Sequence, residues 1–338
     1  MEFIINIPFF LNNIFHTKNL DQYSFLVTGG AGFIGSHIAE YLLKNGAKKV
    51  RVLDNMVNGL QSNLDVLNAY PPFEFLKGDI RDFETCNKAC DGIDYVSHQA
   101  ALGSVPRSIK EPQTTNDVNV GGFVNILKAS ADNNVKRFVY ASSSSVYGDE
   151  QSLPKKEDRI GNCLSPYAVS KRANEMYAQV FAAVYKTSVI GLRYFNVFGP
   201  RQDPDSPYAA VIPLFVKGII NNTPVYINGD GEQTRDFTFV ENVMQVNIKA
   251  MLTDDKKAVN KIYNVAVGES FSINYMYNAI KKHLHAEHKP TYRDVREGDV
   301  RNSLADISLA KNLLGYQPIT KFDNGLIETI EYFKDLYT

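Results

Sequence analysis

A tyrosine and a lysine four residues apart are the side chains of this sequence best suited to acid–base chemistry. Tyr167 and Lys171 lie in the segment SPYAVSK, and a spacing of four puts both on one face of a helix. A nearby cation is expected to lower the pKa of a phenol from about 10 toward neutrality, which would make Tyr167 a usable base. The same spacing recurs at Tyr277 and Lys281, but no strand ending in hydroxyl side chains precedes that second pair.

Four consecutive serines offer a hydroxyl to complement this pair. The segment ASSSSVYGD, residues 141–149, follows an apolar run directly, and Tyr167 comes about twenty residues later. Ligands of open α/β sheets bind at the carboxyl ends of the strands. We therefore expect one of the serines to meet Tyr167 at that edge of a sheet.

A glycine-rich turn near the start of the chain predicts a dinucleotide site. The first apolar run leads into GGAGFIG, which holds Gly29, Gly30, Gly32 and Gly35. Glycines at this spacing allow a tight turn and let the backbone approach a pyrophosphate at a helix N-terminus. Asp54 follows nineteen residues after Gly35, at the end of the second predicted strand. An acid there suits a ribose diol and repels a 2′-phosphate, so the sequence predicts NAD rather than NADP.

The predicted NAD site gathers residues from the ends of several strands. Asp79 and Ile80 follow the third predicted strand and are expected to meet the adenine. The positive charge of the nicotinamide is expected to act with Lys171 in lowering the pKa of Tyr167. The predicted NAD contacts are Gly29, Gly32, Phe33, Ile34, Gly35, Asp54, Asn55, Asp79, Ile80, Gln99, Ala100, Ala101, Tyr167, Lys171 and Tyr194.

The elements that must position these residues alternate along the first half of the chain. Strands are predicted at residues 24–30, 50–55, 73–79, 94–101, 137–143 and 188–195. Helices are predicted between them, among others at residues 34–46, 119–133 and 167–185. Short strands rich in Val, Ile, Leu and Phe, separated by helices of this length, indicate βαβ units. The predicted fold is therefore α/β, with a doubly wound parallel sheet of the Rossmann type.

The chain changes in character after about residue 195, where four prolines fall within fourteen residues and the predicted elements become shorter. We expect residues 1–195 to form an NAD-binding Rossmann domain. Residues 196–338 are expected to form mainly a smaller, mixed α/β substrate domain. The chain is expected to return to the first domain near residues 236–267.

Composition argues against several classes of partner. The 338 residues include 36 Lys and Arg against 37 Asp and Glu, so no basic excess points to nucleic acid or an anionic membrane. Three cysteines cannot form a disulfide framework, and Cys86 and Cys90 lack the further ligands of a metal site. We expect reduced thiols in a cytoplasm. The apolar N-terminus, residues 1–19, starts with an acid and has no small-residue cleavage site, so we expect a packed amphipathic segment and no signal peptide.

Together, the GGAGFIG motif, Asp54, the serine-ended strand and the Tyr–Lys pair resemble the extended short-chain dehydrogenase/reductase family, over about residues 24–335. In that family a Ser or Thr four residues before the tyrosine of the VYG element orders the substrate hydroxyl. The resemblance therefore implies that Ser143 hydrogen-bonds the O4′ of a nucleotide sugar while Tyr167 removes its proton.

The serine run distinguishes among the reactions of that family. Its 4,6-dehydratases carry an Asp-Glu pair or a Glu beside the Ser or Thr, and its decarboxylases carry a Glu two residues before the VYG tyrosine. Here those positions are Ser144 and Ser145, which cannot protonate a leaving hydroxyl as an acid would. The resemblance then implies reversible hydride transfer at C4′ with no further step. That reaction is a 4-epimerisation in which tightly bound NAD is recycled.

The resemblance to nucleotide-sugar 4-epimerases extends to the substrate. Ser303 stands where epimerases restricted to glucose and galactose sugars have a tyrosine, which leaves room for a 2-acetamido group. The segments ALGSVPRSI and YAAVIP resemble bacterial epimerases that prefer N-acetylated sugars, so we expect interconversion of UDP-GlcNAc and UDP-GalNAc. The predicted substrate contacts are Gly103, Ser104, Ser143, Ser144, Tyr167, Asn196, Ala210, Val211, Tyr226, Asn228, Arg235, Arg296, Asp299 and Ser303.

Three alternatives stay open. Arg107 could pair with a C6 carboxylate, which keeps UDP-N-acetylhexosaminuronic acids as substrates. Differences in size discriminate by only about 1–3 kcal/mol, which leaves room for activity on UDP-glucose. A different class is a non-catalytic NAD-binding regulator, which would not need the serine, tyrosine and lysine together.

Assembly and pathway follow from the resemblance alone. It implies a homodimer in which helices near residues 119–133 and 167–185 form a four-helix interface. The sequence itself shows only that these helices carry apolar residues on more than one face. The expected substrate class belongs to the supply of surface polysaccharide precursors.

Overall fold

The computed structural model describes residues 13–205, 210–295 and 300–337. Its central element is a seven-stranded sheet, and in space the strands follow the order β7-β6-β5-β4-β1-β2-β3, with every neighbouring pair parallel. The strands are β1 (Ser24–Thr28), β2 (Lys49–Asp54), β3 (Phe73–Lys77), β4 (Tyr95–His98), β5 (Arg137–Ser143), β6 (Val189–Tyr194) and β7 (Lys261–Val265). The predicted doubly wound parallel sheet is confirmed.

Helices cover both faces of this sheet. One face packs against α1, α2 and α9, and the other packs against α3, α6 and α7. The helices of the described ranges are α1 (Phe33–Lys44), α2 (Gln61–Leu67), α3 (Phe83–Cys90), α4 (Val105–Lys110), α5 (Pro112–Asn116), α6 (Gly122–Asp132), α7 (Pro166–Val184), α8 (Val211–Ile220), α9 (Val240–Leu252), α10 (Ile273–His283), α11 (Ser308–Leu314) and α12 (Phe322–Tyr337).

Burial on both faces explains why the strands read as continuous apolar runs. Every residue of β1, β4 and β6 is buried, as expected for strands covered by helices on each side. The edge strand β3 has three exposed residues. The seventh strand, β7, pairs with β6 and lies within residues 236–267, the segment for which the sequence predicts a return to the sheet.

The sequence marks the start of α7 clearly. Ser165 caps the helix, with its hydroxyl accepting a hydrogen bond from the Ala168 N–H at 3.1 Å, and Pro166 occupies the first helical position. Both are preferred there, because a helix N-terminus has unpaired N–H groups and tolerates the missing N–H of proline. The other predicted interface helix is less regular. A π-helical turn, Asp117–Gly121, precedes α6 where the sequence predicts one continuous helix.

A smaller lobe is built mainly from α8, α10 and α12. Short strand pairs join it, namely Val197–Phe198 with Thr238–Phe239, Thr234–Arg235 with Phe271–Ser272, and Tyr226–Asn228 with Thr291–Arg293. Aromatic side chains fill its junction with the sheet. The Phe322 ring stacks on Phe271 and Phe237 with ring centroids 4.6 and 5.2 Å apart, within the range of favourable aromatic pairs.

The described part of the N-terminal segment, residues 13–19, packs against the sheet domain without forming a helix. Phe15 stacks on Tyr41 of α1, and the Asn13 amide donates to Glu241 of α9 at 2.6 Å. The remainder of the predicted amphipathic segment, residues 1–12, lies outside the described residues. Among the helices that are described, none has the length and hydropathy needed to cross a bilayer.

Candidate active site

A cleft of about 620 Å³ opens at the carboxyl ends of the strands, within the usual size of small-molecule sites. It crosses the point between β1 and β4 where the strand order reverses, because Gly29 follows β1 and Gln99 follows β4. Ligands of doubly wound sheets bind at this switch point. Of the predicted NAD contacts, all but Asp79 line the cleft.

The glycine turn is shaped for close approach by a ligand. Gly29 has φ +68°, and a Cβ on Gly35 would lie 2.3 Å from the Gly29 carbonyl oxygen, so neither position accepts a larger residue without a shift in the backbone. Gly32 precedes α1 and offers no side-chain cap. The first N–H groups of α1 therefore face the cleft beside Phe33 and Ile34, which suits the diphosphate of a dinucleotide.

Asp54 is fixed by backbone N–H groups. Its carboxylate accepts hydrogen bonds from Ala31 at 3.0 Å and Met56 at 2.8 Å. Burial raises the pKa of this carboxyl, and these two bonds lower it. The residues present therefore fit NAD. The glycine turn at the start of α1 leaves room for a diphosphate, and the oriented Asp54 carboxylate beside it can accept hydrogen bonds from the ribose hydroxyls.

Asp79 lies at the edge of the cleft, bonded to two residues that line it. Its carboxylate forms an ion pair with Arg81 at 2.7 Å and accepts a hydrogen bond from the Asn55 amide at 3.0 Å. The bond to Arg81 holds the pKa of Asp79 well below its usual range. Ile80 lines the cleft itself, and the contact of Asp79 with adenine stays a prediction.

The serine-ended strand and the helix carrying the Tyr–Lys pair meet at the same edge, as the sequence predicts. The Ser143 side chain lies beside the Tyr167 phenol and lowers its pKa, and the Lys171 ammonium donates to the Ala141 carbonyl at 2.9 Å. All three catalytic candidates, Ser143, Tyr167 and Lys171, line the cleft. Their catalytic roles stay a prediction.

The pKa of Tyr167 shifts upward, opposite to the downward shift expected from the Tyr–Lys spacing. Burial raises the pKa of Tyr167 above its ordinary value, with the Ser143 side chain opposing this only in part. The Lys171 ammonium donates a hydrogen bond to the Ala141 carbonyl and lies 5.9 Å from the centre of the phenol ring. Burial also lowers the pKa of Lys171 to about 8.

Ser145 is a supporting residue that the sequence did not reveal. Its backbone N–H and its hydroxyl both donate to the Ser143 oxygen, at 3.2 and 3.0 Å. With these two donors at its oxygen, the Ser143 hydroxyl keeps its own proton for donation. The short 3₁₀ turn Ser144–Tyr147, capped by Ser143, brings Ser145 back to this oxygen.

Part of the predicted substrate site lines the same cleft. Gly103, Ser144 and Asn196 lie there with Ser143 and Tyr167. Ser104 does not: its hydroxyl caps α4 by accepting the Arg107 N–H at 3.2 Å. This capping bond explains why the side chain is directed to the helix rather than to the cleft.

The other predicted substrate contacts lie in the smaller lobe, away from the cleft lining. Ser303 and Arg235 are neighbours there, since both bond the Thr234 carbonyl: the Ser303 N–H at 3.1 Å and the Arg235 guanidinium at 2.9 Å. The further members of this group are Ala210 and Val211 at the start of α8, and Tyr226 and Asn228 in the pair with Thr291–Arg293. Arg296 and Asp299 lie outside the described residues.

The cleft also has a wall that the sequence did not predict. Arg201, Gln202 and Asp203 line it, and the Arg201 guanidinium is buried against Glu40 of α1. The segment GPRQD follows β6 closely and ends an apolar run, which is the signal that could have drawn attention to it. Glu40, 161 residues away along the chain, gave none.

The geometry is typical of enzymes that hold a dinucleotide at the switch point of a doubly wound sheet, and Ser143, Tyr167 and Lys171 lie beside that site. Comparison with known proteins identifies the family. The model of the NAD dependent epimerase/dehydratase family matches residues 25–266, and the chain belongs to this family. The predictions of an enzyme and of NAD as its cofactor are confirmed.

Three relatives are similar over nearly the whole chain. The putative UDP-glucose 4-epimerase of Methanocaldococcus jannaschii is 36% identical over 312 residues, covering 92% of this chain and 98% of the relative. The solved UDP-N-acetylglucosamine 4-epimerase of Methanobrevibacter ruminantium M1, in complex with UDP-N-acetylmuramic acid, is 40% identical with a TM-score of 0.87, covering 93% and 99%. UDP-glucuronic acid 4-epimerase of Bacillus cereus, in complex with UDP-glucuronic acid and NAD, is 32% identical with a TM-score of 0.87, covering 93% and 100%.

The geometry of the glycine turn predicts the effect of one added methyl group. Gly35→Ala should weaken NAD binding by about tenfold or more, because the new Cβ would press the Gly29 carbonyl out of the turn. Gly121→Ala is the matched control, since Gly121 is helical and a Cβ there meets nothing within 4 Å. Isothermal titration of the nucleotide-free proteins measures both, and equal NAD affinities for the two variants would contradict the account.

Proposed function

We propose that the protein interconverts the C4′ epimers of UDP-N-acetylhexosamines, UDP-GlcNAc and UDP-GalNAc, by NAD-dependent oxidation and reduction through a transient 4-keto sugar. The observation that carries the proposal is that Ser143, Tyr167 and Lys171 line the NAD cleft together, with the Ser143 side chain beside the phenol. A sugar hydroxyl at this pair would meet both a donor and a base.

Ser143, Tyr167 and Lys171 have separate roles in the proposed reaction. Ser143, its oxygen occupied by two donors from Ser145, directs its proton to the sugar O4′ and orients it. Tyr167 takes the O4′ proton during oxidation and returns it during reduction. Lys171, held by the Ala141 carbonyl at 2.9 Å, lies 5.9 Å from the centre of the phenol ring, on the next turn of α7. Bound NAD supplies the hydride acceptor, and its reduced form supplies the donor.

The side chains around this pair favour a cycle without elimination or decarboxylation. Both reactions need an acid or a carboxylate beside the reacting carbon, and positions 142–147 carry only Ser, Val and Tyr. Glu175, the nearby acid of α7, is fully buried and bonded to Arg193 and Ser142. An enzyme that only moves a hydride out and back consumes no redox equivalents, so it has no need to exchange its NAD.

The preference for N-acetylated sugars is supported by two small residues at positions that the family resemblance assigns to the substrate. Gly103 lines the cleft, and a Cβ there would meet nothing within 4 Å. Ser303 lies beside Arg235 in the smaller lobe. The similarity at 40% identity to a UDP-N-acetylglucosamine 4-epimerase agrees with this choice.

A second candidate, a UDP-hexuronic acid 4-epimerase, is favoured by one observation. The Arg107 guanidinium lies within 3.4 Å of the Asn58 side-chain oxygen, and Asn58 lines the cleft. A cation at this rim would suit a C6 carboxylate. The similarity to the Bacillus cereus UDP-glucuronic acid 4-epimerase points the same way.

We test the proposed reaction with UDP-GlcNAc and no added NAD. The purified protein should form UDP-GalNAc, separated by chromatography, because the recycled NAD is already bound. Tyr167→Phe should lower turnover by at least about 100-fold while keeping its NAD, since the base is lost and the ring is kept. Turnover of UDP-glucuronic acid alone would favour the second candidate, and full activity of Tyr167→Phe would remove Tyr167 as the base.

The size of the residue at 303 should set the sugar preference. Ser303→Tyr is expected to reduce kcat/KM for UDP-GlcNAc by about 10- to 200-fold relative to UDP-glucose, the range that one misfitting group produces in a pocket. Ser303→Ala is the control, because it removes the hydroxyl and keeps the room. An unchanged ratio of the two kcat/KM values in Ser303→Tyr would contradict a role for this position.

We also propose a cytoplasmic homodimer built on the outer face of α7. Val169, Met176, Val180 and Val184 recur there at helical spacing, and each is more than half exposed, an arrangement that marks protein interfaces. The cytoplasmic location agrees with Cys86, Cys90 and Cys163 being free thiols.

Light scattering tests the proposed assembly. The mass should be about twice the 37.9 kDa of one chain, and Val180→Asp should shift it toward that of one chain, because a charge would be buried in the interface. Leu214→Asp, at an exposed site of α8, is the control and should leave the mass unchanged. A single-chain mass for the wild type would count against the dimer.

A further inference from the structure

Helix α7 is joined to the end of β5 by three polar contacts at consecutive strand residues. The Ala141 carbonyl accepts from Lys171 at 2.9 Å, the Ser142 hydroxyl donates to Glu175 at 2.7 Å, and the Ser143 side chain lies close enough to Tyr167 to lower the pKa of its phenol. Tyr167, Lys171 and Glu175 are spaced by four and lie on one face of the helix. Two of these three contacts belong to the catalytic candidates, and the third involves Glu175, to which the proposed chemistry assigns no role.

Glu175 is held in place by a buried ion pair. The Arg193 guanidinium of β6 meets its carboxylate with two parallel bonds, Nε to Oε1 at 2.8 Å and Nη2 to Oε2 at 3.0 Å. The side chains of Glu175 and Arg193 are 0% and 1% exposed. Paired bonds of this kind fix the angle as well as the distance between their partners. These two bonds therefore restrain the rotation of α7 about its axis and its distance from β6.

Arg193 reaches the serine turn from the other side. Its Nη1 donates to the Tyr147 hydroxyl at 3.0 Å and to the Glu157 carbonyl at 3.0 Å. Tyr147 ends the 3₁₀ turn that Ser143 caps, and its hydroxyl donates to Asn264 of β7 at 2.6 Å. Arg193 thus ties the helix that carries Tyr167 and the turn that follows Ser143 to the same strand.

We propose that Glu175 and Arg193 are positioning residues for the Ser143–Tyr167 pair. The inference rests on the proposed function. A buried ion pair often adds little to stability, and well-packed apolar residues can replace it without loss. Its value here lies in geometry, because an error of about 1 Å between reacting groups costs about 100-fold in rate. Removing the pair should therefore lower kcat even in a protein that remains folded.

Two variants separate positioning from stability. Glu175→Gln keeps the shape and an acceptor for Ser142 but leaves the Arg193 charge uncompensated. The double variant Glu175→Met with Arg193→Met removes both charges and fills the space with apolar groups, so it is expected to stay folded. Its melting temperature should fall only by the cost of leaving the buried Ser142 hydroxyl without its acceptor. Lys128→Gln is the control, since Lys128 forms an exposed ion pair with Asp132 on the neighbouring helix and should change neither property.

The expected result is a split between kcat and KM. In both Glu175 variants kcat for UDP-GlcNAc should fall by about 30- to 100-fold. KM and the bound NAD should stay within about threefold of wild type, because the substrate contacts are untouched. A folded double variant with wild-type kcat would overturn the inference, since the pair would then serve stability alone.

A crystal structure of the double variant gives a readout that needs no activity. The account predicts that the Tyr167 and Ser143 hydroxyl oxygens lie about 1 Å farther apart than in a crystal structure of the wild type, and an unchanged distance would overturn it. The proposed activity and the positioning role of Glu175 and Arg193 are tested by separate measurements. A wild-type protein that epimerises no UDP-hexose would remove the proposed function, while this distance would still decide whether Glu175 and Arg193 position the hydroxyl pair.

Discussion

The packing of α7 against the end of β5 is the constraint on which the rest of the site depends. A parallel sheet brings the carboxyl ends of its strands to one edge, but that alone does not bring a side chain of α7 close to Ser143. The contacts from Lys171 to Ala141 and from Glu175 to Ser142 hold α7 beside the end of β5, next to Ser143. They also satisfy polar groups that would be costly to leave unpaired in a buried seam. The geometry of the hydroxyl pair is therefore coupled to the packing of the core.

Burial gives the same seam its chemical character. Removing Tyr167 and Lys171 from water raises the pKa of the phenol and lowers that of the ammonium to about 8. Both shifts disfavour the charged forms of the two side chains. In the proposed reaction, the positive charge of a bound oxidised nicotinamide would oppose the burial of Tyr167 and favour its ionised form.

The fold, the glycine turn and the Tyr–Lys pair could be predicted from the sequence because their signals are local. Buried strands read as apolar runs, the glycine turn is contiguous, and the Tyr–Lys pair lies within one helical turn. Pairings between distant segments leave no such mark in a single sequence. Glu175 with Arg193, Glu40 with Arg201, and the turn of Ser145 back to Ser143 all become visible only in three dimensions.

The central claim is that hydride leaves C4′ of the sugar and returns to it within one closed site. The most direct measurement uses UDP-GlcNAc carrying deuterium at C4′, incubated with the protein in ordinary water without added NAD. The account predicts that the UDP-GalNAc formed retains its deuterium at C4′, because the hydride is held between oxidation and reduction and does not exchange with water. Loss of the deuterium to solvent would contradict the account, since it would mean that the carbon is inverted by proton transfer.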